Sequence, residues 1–280
     1  MITHTRKVLH GALIRAANLV ERPGNAVPQP VTHEPSEDAQ PAPHDLGEET
    51  RTLWERVQSR TMTSVYRIDA LRQAVEYIEA NAIPGDIVEC GVWRGGSIMA
   101  VALTLSRLGA RRALWLYDTF CGMPPPGPQD KDFEGRSAAD LMAEQAPETS
   151  PIWALNSLED VRAGMAEVGY PRDLVRYVVG PVESTIPDRV PDRIALLRLD
   201  TDWFTSTHHE LVHLWPRLAV DGILIIDDYG YWRGAKKAVD QYFREAGLYP
   251  FLHRIDETGR LVIKTHALID SAPDGTFATE

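Results

Sequence analysis

Short apolar segments that alternate with longer segments of helical periodicity constrain the fold of this chain most strongly. The apolar segments are residues 86–91, 113–118, 175–180, 194–200 and 222–228, and two further strands are predicted at 249–254 and 260–264. Strands that are apolar along most of their length and are separated by helices are typical of a mainly parallel sheet covered on both faces. The sequence therefore predicts an α/β doubly wound, Rossmann-like architecture.

The helices of this prediction are marked by capping residues. Ser64 and Ser157 are suitable N-caps, and Gly109 and Gly169 are suitable C-terminal glycines. The predicted helices cover residues 64–80, 95–109, 157–169, 206–218 and 234–246.

Acidic residues end most of the predicted strands. They are Glu89, Asp118, Asp200, Asp202, Asp227 and Asp228. Ligands of such sheets bind at the carboxyl ends of the strands, and carboxylates that converge there repel one another unless a cation neutralises them. Oxygen ligands alone favour a hard ion such as Mg²⁺. Asp200 and Asp202 point the same way if the strand continues to Asp202. The alternative is a row of solvated turn residues and N-caps.

A glycine-containing turn follows the first strand, in the segment Glu89-Cys90-Gly91-Val92-Trp93-Arg94-Gly95-Gly96-Ser97. Glycines allow a ligand to approach the backbone closely, and a helix N-terminus offers free N–H groups. The spacing is not that of a GxGxxG dinucleotide fingerprint, so alone the turn is a weak signal. Asp118 is placed to accept hydrogen bonds from a ribose diol. Together these features indicate a nucleoside ligand without a pyrophosphate, such as S-adenosylmethionine.

The ends of the chain differ in composition from its centre. Residues 1–23 are predicted to form a basic amphipathic arm that docks on a partner or a membrane surface, or else a frayed helix. Residues 24–48 are rich in proline and glutamate and are predicted to be a disordered linker. The catalytic domain is expected at 50–268, followed by a tail at 269–280.

Charge and cysteine content exclude several functions. The net charge of −11 argues against nucleic-acid binding, which requires a basic face. The two cysteines, Cys90 and Cys121, form no CxxC pair, so neither a disulfide framework nor a zinc site is expected. No apolar run is long enough to span a membrane and no secretory signal is recognised, so a cytoplasmic protein is predicted.

The motifs together resemble the macrocin-type, metal-dependent sugar O-methyltransferases. The matching stretches are RTMTSVYRIDAL (60–71), IPGDIVECGVWRGGS (83–97), LYDTFCGMP (116–124), RLDTDWFTST (198–207) and GILIIDDYGYWRGAKKAVDQYF (222–243). The resemblance implies a class I methyltransferase fold that binds S-adenosylmethionine and Mg²⁺ and assembles as a homo-oligomer, a dimer or larger. Trp203, His208 and His209 depart from the residues usual in that family and leave the acceptor open.

The resemblance also implies roles for individual residues. Asp202 matches the general base, and Asp200 belongs both to the catalytic pair and to the metal ligands, which are Asp200, Asp227 and Asp228. The implied cofactor-binding residues are Met62, Thr63, Glu89, Gly91, Gly95, Ser97, Asp118 (ribose) and Ser157 (adenine).

The predicted reaction is methylation of a sugar hydroxyl on a glycoside, a nucleotide sugar or a polysaccharide. The alternatives are a catechol-type methyltransferase and a non-catalytic binding protein on the same fold. His208 or His209 could replace Asp202 as the base. Arg198 is expected to pair with a rim carboxylate, and residues 121–136 form either a mobile lid or a plain loop. Five aromatic residues could stack on a sugar or pack internally: Trp93, Trp203, Tyr229, Tyr231 and Trp232.

Overall fold

The computed structural model describes residues 46–268 of the 280-residue chain. The predicted catalytic domain, 50–268, lies within this range. The predicted arm at 1–23, the predicted linker as far as residue 45 and the predicted tail at 269–280 lie outside the described residues. Leu46 is buried and the first helix begins at Glu48, so the last three residues of the predicted linker belong to the structured part.

Seven strands form one sheet in the order β3-β2-β1-β4-β5-β7-β6. Neighbouring strands among β1 to β5 pair in parallel, while β7 is antiparallel to both β5 and β6. The strands are β1 (Asp86–Cys90), β2 (Leu114–Asp118), β3 (Val175–Val179), β4 (Ile194–Leu199), β5 (Leu218–Ile226), β6 (His253–Arg254) and β7 (Arg260–Ile263). The mainly parallel α/β sheet predicted from the sequence is confirmed.

Helices cover both faces of this sheet. They are α1 (Glu48–Val57), α2 (Val65–Ala80), α3 (Gly96–Leu108), α4 (Ala138–Ala143), α5 (Leu158–Glu167), α6 (Val182–Thr185), α7 (Phe204–Leu214) and α8 (Arg233–Glu245). One core cluster joins the sheet to α1, α2, α3 and α5, and a second joins the opposite face to α6, α7 and α8. Every residue of β4 is buried, as expected for a central strand covered on both sides.

The capping predictions agree with the structure. The hydroxyl of Ser64 accepts a hydrogen bond from the backbone N–H of Arg67, and that of Ser157 accepts one from Asp160. Gly109 ends α3 at φ 66°, a left-handed conformation that favours glycine.

The region around α7 differs from its prediction. The expected helix at 206–218 ends at Leu214, and a 3₁₀ turn at Trp215–Arg217 follows because Pro216 has no backbone N–H to continue the helix. The next strand therefore starts at Leu218 rather than at 222. Helix α7 also begins earlier, at Phe204, whose N–H donates 2.8 Å to the distant carboxylate of Asp130. Such a nonlocal cap leaves no signal in the neighbouring sequence.

The strand order reverses between β1 and β4. Strand β1 continues to β2 and β3 on one side, and β4 continues to β5 on the other. In open parallel sheets the crevice at such a switch point, outside the carboxyl ends of the strands, is where ligands bind. Within residues 46–268, no helix is both long and apolar enough to cross a membrane.

Candidate active site

Three carboxylates meet at the carboxyl edge of the sheet. One oxygen each of Asp200, Asp202 and Asp228 lies within 4.8 Å of the other two. We call these three residues the acid cluster. They follow β4 and β5, whose last residues Leu199 and Ile226 are paired in register, so the segments after them leave the sheet side by side.

A tight turn presents Asp202. The N–H of Trp203 donates 2.7 Å to the carbonyl of Thr201, and Asp202 between them has φ 66°. This left-handed conformation costs a non-glycine residue about 1–3 kcal/mol, which the surrounding contacts must offset. Strand β4 ends at Leu199, so the condition under which strand alternation would point Asp200 and Asp202 the same way is not met. The turn, and not strand alternation, brings Asp202 to Asp200.

Burial changes the acidity of the acid cluster. It raises the pKa of Asp202 to about 7, although a hydrogen bond with Asp228 opposes the shift. Burial and the charge of Asp202 raise the pKa of Asp228 well above its usual value. Oδ2 of Asp228 is buried and has no hydrogen-bond partner among the described residues. The chemistry of this donor set, carboxylate oxygens only, suits a divalent cation.

Asp227 is not part of the acid cluster. Its Oδ1 accepts 2.6 Å from Nη2 of Arg198, and its Oδ2 is paired with Nη1 of Arg67. Two of the three predicted metal ligands, Asp200 and Asp228, are thus brought together, whereas Asp227 is held by two guanidinium groups. Its assignment as a metal ligand stays a prediction.

Arg198 is the buried centre of an ion-pair network. Its Nη1 lies 2.6 Å from Oε1 of Glu89 and 2.7 Å from Oδ2 of Asp200. Glu89 and Arg198 are opposite each other in the β1–β4 ladder, which explains their contact. Burial raises the pKa of Glu89 to about 8 in spite of the arginine charge. The predicted pairing of Arg198 with a rim carboxylate is correct, whereas Glu89, predicted to bind the cofactor, contacts Arg198.

The glycine turn lies directly against the acid cluster. Gly91 has φ 80°, and a Cβ atom there would lie 1.9 Å from the backbone oxygen of Asp200. Gly95, at φ 85°, is the N-cap of α3. Ser97 is buried in the first turn of that helix, 3.5 Å from the hydroxyl of Thr61. The turn after β1 and the turn after β4 are therefore in backbone contact.

Asp118 connects β2 to the glycine turn. Its Oδ2 accepts hydrogen bonds from the backbone N–H groups of Val92 at 2.7 Å and Trp93 at 3.0 Å. Its Oδ1 accepts 2.6 Å from the N–H of Phe120. Asp118 therefore fixes the shape of the turn. Its Oδ2 already accepts two N–H hydrogen bonds, so the lone pair that remains for a ligand is on Oδ1.

A cleft opens beside Asp118. Gly91 and Asp200 line one end of it, and Gly180 and Glu183, which follow β3, line another wall. Sequence reasoning missed the β3 wall, although the glycine that ends the VRYVVG segment was a usable signal.

Three of the predicted cofactor residues, Met62, Thr63 and Ser157, are not among those that line this cleft. Met62 is half exposed, and the hydroxyl of Thr63 donates 3.4 Å to Oδ2 of Asp227. The hydroxyl of Ser157 caps α5, while Ala154 of the preceding segment lines the cleft. Sequence reasoning missed Asn156, whose Nδ2 donates 2.7 Å to the carbonyl of Trp93. Its Oδ1 is buried and has no hydrogen-bond partner in the described part of the chain.

The aromatic residues near the site divide into packing residues and an exposed pair. Trp203 and Trp232 are buried and pack edge to face at 5.0 Å. The Tyr229 hydroxyl donates 2.7 Å to Asp240. Tyr231 is 37% exposed and meets Phe133, 57% exposed, at 5.4 Å between ring centroids. Phe133 was missed because a single aromatic residue in a loop has no periodicity to reveal its position.

The two candidate histidines make their contacts elsewhere. His208 stacks on Phe204, and its Nε2 lies 3.8 Å from Glu245 of α8. Nε2 of His209 lies 3.0 Å from the carbonyl oxygen of Ile186. Neither ring belongs to the acid cluster.

A seven-stranded sheet of this order, with a glycine turn after β1 and an acid after β2, defines the class I methyltransferases. The chain belongs to the macrocin-O-methyltransferase (TylF) family, whose model matches residues 26–264. It is therefore an O-methyltransferase.

Named relatives and solved structures agree with this assignment. The 8-demethyl-8-(2,3-dimethoxy-alpha-L-rhamnosyl)-tetracenomycin-C 4'-O-methyltransferase of Streptomyces olivaceus is 35% identical over 202 residues, 72% of this chain and 74% of that protein. The mycinamicin III 3''-O-methyltransferase of Micromonospora griseorubida is 31% identical over 72% of this chain and 77% of that protein. The structure of the O-methyltransferase NovP aligns with a TM-score of 0.65 at 32% identity, covering 74% of this chain and 82% of NovP.

Proposed function

We propose that this chain transfers a methyl group from S-adenosylmethionine to a sugar hydroxyl of a glycoside. The observation that carries the proposal is the contact between the two turns: Gly91, which lines the cleft, touches the backbone of Asp200. A methyl donor in the cleft and a hydroxyl at the acid cluster would therefore be neighbours. The names of the relatives, which include a rhamnosyl-tetracenomycin methyltransferase, support a sugar acceptor.

The donor site uses residues on three strand ends. Asp118 would accept a hydrogen bond from a ribose hydroxyl at Oδ1, and the buried Oδ1 of Asn156 offers an acceptor beside the glycine turn. Gly180 and Glu183 close the far wall. S-adenosylmethionine supplies an electrophilic methyl group, and the cleft walls hold its nucleoside without a phosphate-binding loop.

The acid cluster fits a divalent cation, which we propose to be Mg²⁺. Asp200 and Asp228 would hold it, and the buried, unpartnered Oδ2 of Asp228 is the observation that favours it among the described residues. Asp227, the third proposed ligand, would first have to leave its ion pair with Arg67. Such a cation supplies charge that lowers the pKa of a hydroxyl beside it.

Asp202 is the proposed general base. Its turn directs the carboxylate into the acid cluster, within 4.8 Å of oxygens of the proposed cation ligands Asp200 and Asp228. It would take the proton of the sugar hydroxyl as the oxygen attacks the methyl group. The next residue, Trp203, is fixed by a hydrogen bond: its indole N–H donates 2.9 Å to the carbonyl of Pro124.

The acceptor would rest on the exposed rings of Tyr231 and Phe133. Sugar rings present C–H faces that pack on aromatic rings, and an exposed pair of rings beside a polar cluster offers such a surface. Burial and the charges of Asp132, Asp202 and Glu134 raise the pKa of Tyr231, so its hydroxyl remains a neutral donor.

The decisive experiment incubates the full chain with labelled S-adenosylmethionine and a panel of acceptors, with and without Mg²⁺. The panel contains deoxysugar glycosides, nucleotide sugars, oligosaccharides and catechols. We expect label transfer to a glycoside that depends on Mg²⁺. Transfer to catechols alone would contradict the sugar acceptor and indicate a catechol-type methyltransferase. Full activity in excess chelator would contradict the role of a divalent cation.

Self-association is a further proposal, and it rests on the family resemblance. The cytoplasmic location stays a prediction from the sequence. Light scattering after size-exclusion chromatography tests self-association: a mass of twice 31.3 kDa or more is expected. A single-chain mass at micromolar concentration would contradict it.

A further inference from the structure

Helix α7 carries a buried carboxyl that the reaction described above does not use. Glu210 has no exposed surface. The hydroxyl of Thr201 donates to this carboxyl, at 3.0 Å from Oε1 and 3.1 Å from Oε2. Thr201 stands between Asp200 and Asp202. Helix α7 therefore contacts the middle of this turn, residues 200–203, which we call the acidic turn.

Glu210 also binds the strand that leads into the glycine turn. The thiol of Cys90 donates a hydrogen bond to the same carboxyl. Cys90 ends β1 with its side chain on the α7 face, and its carbonyl accepts 2.8 Å from the N–H of Asp200. One carboxyl thus contacts both turns that meet at the proposed reaction centre.

The backbone carbonyl of Thr201 links Glu210 to the conformation of Asp202. Its carbonyl accepts hydrogen bonds from the N–H of Trp203 at 2.7 Å and from the hydroxyl of Ser206 at 3.3 Å. The first of these bonds closes the turn that holds Asp202 at φ 66°. A strained conformation persists only when neighbouring contacts fix it.

We propose that Glu210 is a positioning residue that sets the Asp202 turn through Thr201 and ties it to the glycine turn through Cys90. The inference rests on the proposed function, because Asp202 is taken as the base. A buried carboxyl is costly unless its hydrogen bonds are made, so its presence here favours a role in geometry. Burial raises the pKa of Glu210 well above its usual value, and the hydrogen bond from Thr201 opposes that shift.

Four variants test the proposal: Glu210→Ala, Glu210→Gln, Thr201→Val and the double variant Glu210→Ala with Thr201→Val. Each of Glu210→Ala and Thr201→Val should lower kcat about 10- to 100-fold, because misplacement of a reacting group by about 1 Å costs rates of this order. The KM for S-adenosylmethionine should stay within about twofold, since the donor site is intact. Glu210→Gln should recover most of the activity because its amide oxygen still accepts from Thr201.

The double variant should be no slower than the slower single variant, because both remove the same bond. Thr104→Val is the matched control: its buried hydroxyl donates 2.8 Å to the carbonyl of Ala100 within α3, away from the acidic turn. Additive losses in the double variant, or equal losses in Thr104→Val, would overturn the proposal.

Hydrogen exchange gives a readout that does not depend on the reaction. The amides of residues 200–204 should exchange faster in Glu210→Ala and Thr201→Val than in the wild type or Thr104→Val. If the wild type methylates no acceptor, the proposed function fails. Hydrogen exchange still tests whether Glu210 and Thr201 stabilise the turn at Asp202. Unchanged exchange in both variants, with each folded by thermal melting, would overturn it even in an active enzyme.

Discussion

Asp202 combines a strained backbone with a shifted acidity. It occupies φ 66°, and its carboxyl has a pKa of about 7 because it is buried beside other acids. Both features are typical of residues on which a reaction depends, since neither contributes to stability.

Replacing Asp202 by asparagine should remove the base and leave the shape of the cleft. We expect kcat to fall by about 10²- to 10⁴-fold, the usual contribution of a positioned base. The affinity for S-adenosylhomocysteine, measured by calorimetry, should change little. A variant with near wild-type turnover would show that another group takes the proton.

Glu210 leads to a second prediction at this scale, on stability. Its folded-state pKa is raised, so the folded protein keeps a proton that the unfolded chain releases once the pH exceeds the unfolded pKa. The stability contributed by this group is therefore present at low pH and is lost as the pH rises from about 4.5. Glu210→Gln has no such titration.

The free energy of unfolding in urea, compared between wild type and Glu210→Gln at about pH 5, 6, 7 and 8, checks this prediction. The free energy of unfolding of Glu210→Gln should increase relative to that of the wild type as the pH rises. An equal difference at every pH would show that Glu210 titrates normally in the folded state.

At the scale of elements, the glycine turn after β1 depends on the absence of a side chain. A Cβ at Gly91 would collide with the backbone oxygen of Asp200 at 1.9 Å, and backbone atoms cannot move aside as a flexible side chain can. Gly109 has a similar positive φ of 66°, but a Cβ added there would meet nothing within 4 Å among the described residues. Substitution of each glycine by alanine therefore distinguishes the effect of a collision with Asp200 from the effect of backbone strain alone.

Gly91→Ala should lower kcat/KM by about 100-fold or more, as expected when reacting groups move apart by about 1 Å. Gly109→Ala should cost only stability, about 1 kcal/mol. Steady-state kinetics and thermal melting of both variants measure the difference. Equal kinetic effects would mean that the contact with Asp200 is unimportant.

The loop that carries Phe133 is the second element with a testable role. Asp130 in this loop accepts hydrogen bonds from the N–H groups of Gly127 and Phe204, which fixes the loop against α7. The predicted mobility of residues 121–136 stays a prediction.

Phe133→Ala and Tyr231→Ala should raise the KM for the glycoside about 5- to 30-fold, which corresponds to about 1–2 kcal/mol of lost aromatic packing. The KM for S-adenosylmethionine should be unaffected. Phe251→Ala, which removes a ring 83% exposed on the loop before β6, is the control. A higher donor KM instead would place the rings at the nucleoside.

At the scale of the whole molecule, the site concentrates negative charge in a protein whose net charge is already −11. Repulsion among Asp200, Asp202 and Asp228 opposes folding unless protons or a cation neutralise it. A ligand that binds only the folded state stabilises it in proportion to its occupancy.

Mg²⁺ at about 100 times its dissociation constant should therefore stabilise the wild type by about 2.7 kcal/mol. Asp228→Asn should melt higher than the wild type in chelator and respond weakly to Mg²⁺. Scanning calorimetry with matched ionic strength measures both effects. A Tm that does not depend on Mg²⁺ in the wild type would contradict the cation site.

The sequence by itself determined the architecture and most of the site's composition. Local signals sufficed for this: apolar strands with acidic ends, serine and glycine caps, and a glycine turn. Parallel strands then bring their carboxyl ends to one edge, so Asp200, Asp202 and Asp228 could be expected together. Only the tertiary structure decided that Asp227 pairs with Arg67 and Arg198, and that Glu210 anchors Thr201. Some of these contacts join residues that are distant in sequence, and others depend on a turn at Asp202 that strand periodicity does not encode. Which side chains pair is decided by which partners folding buries within hydrogen-bond distance of each other.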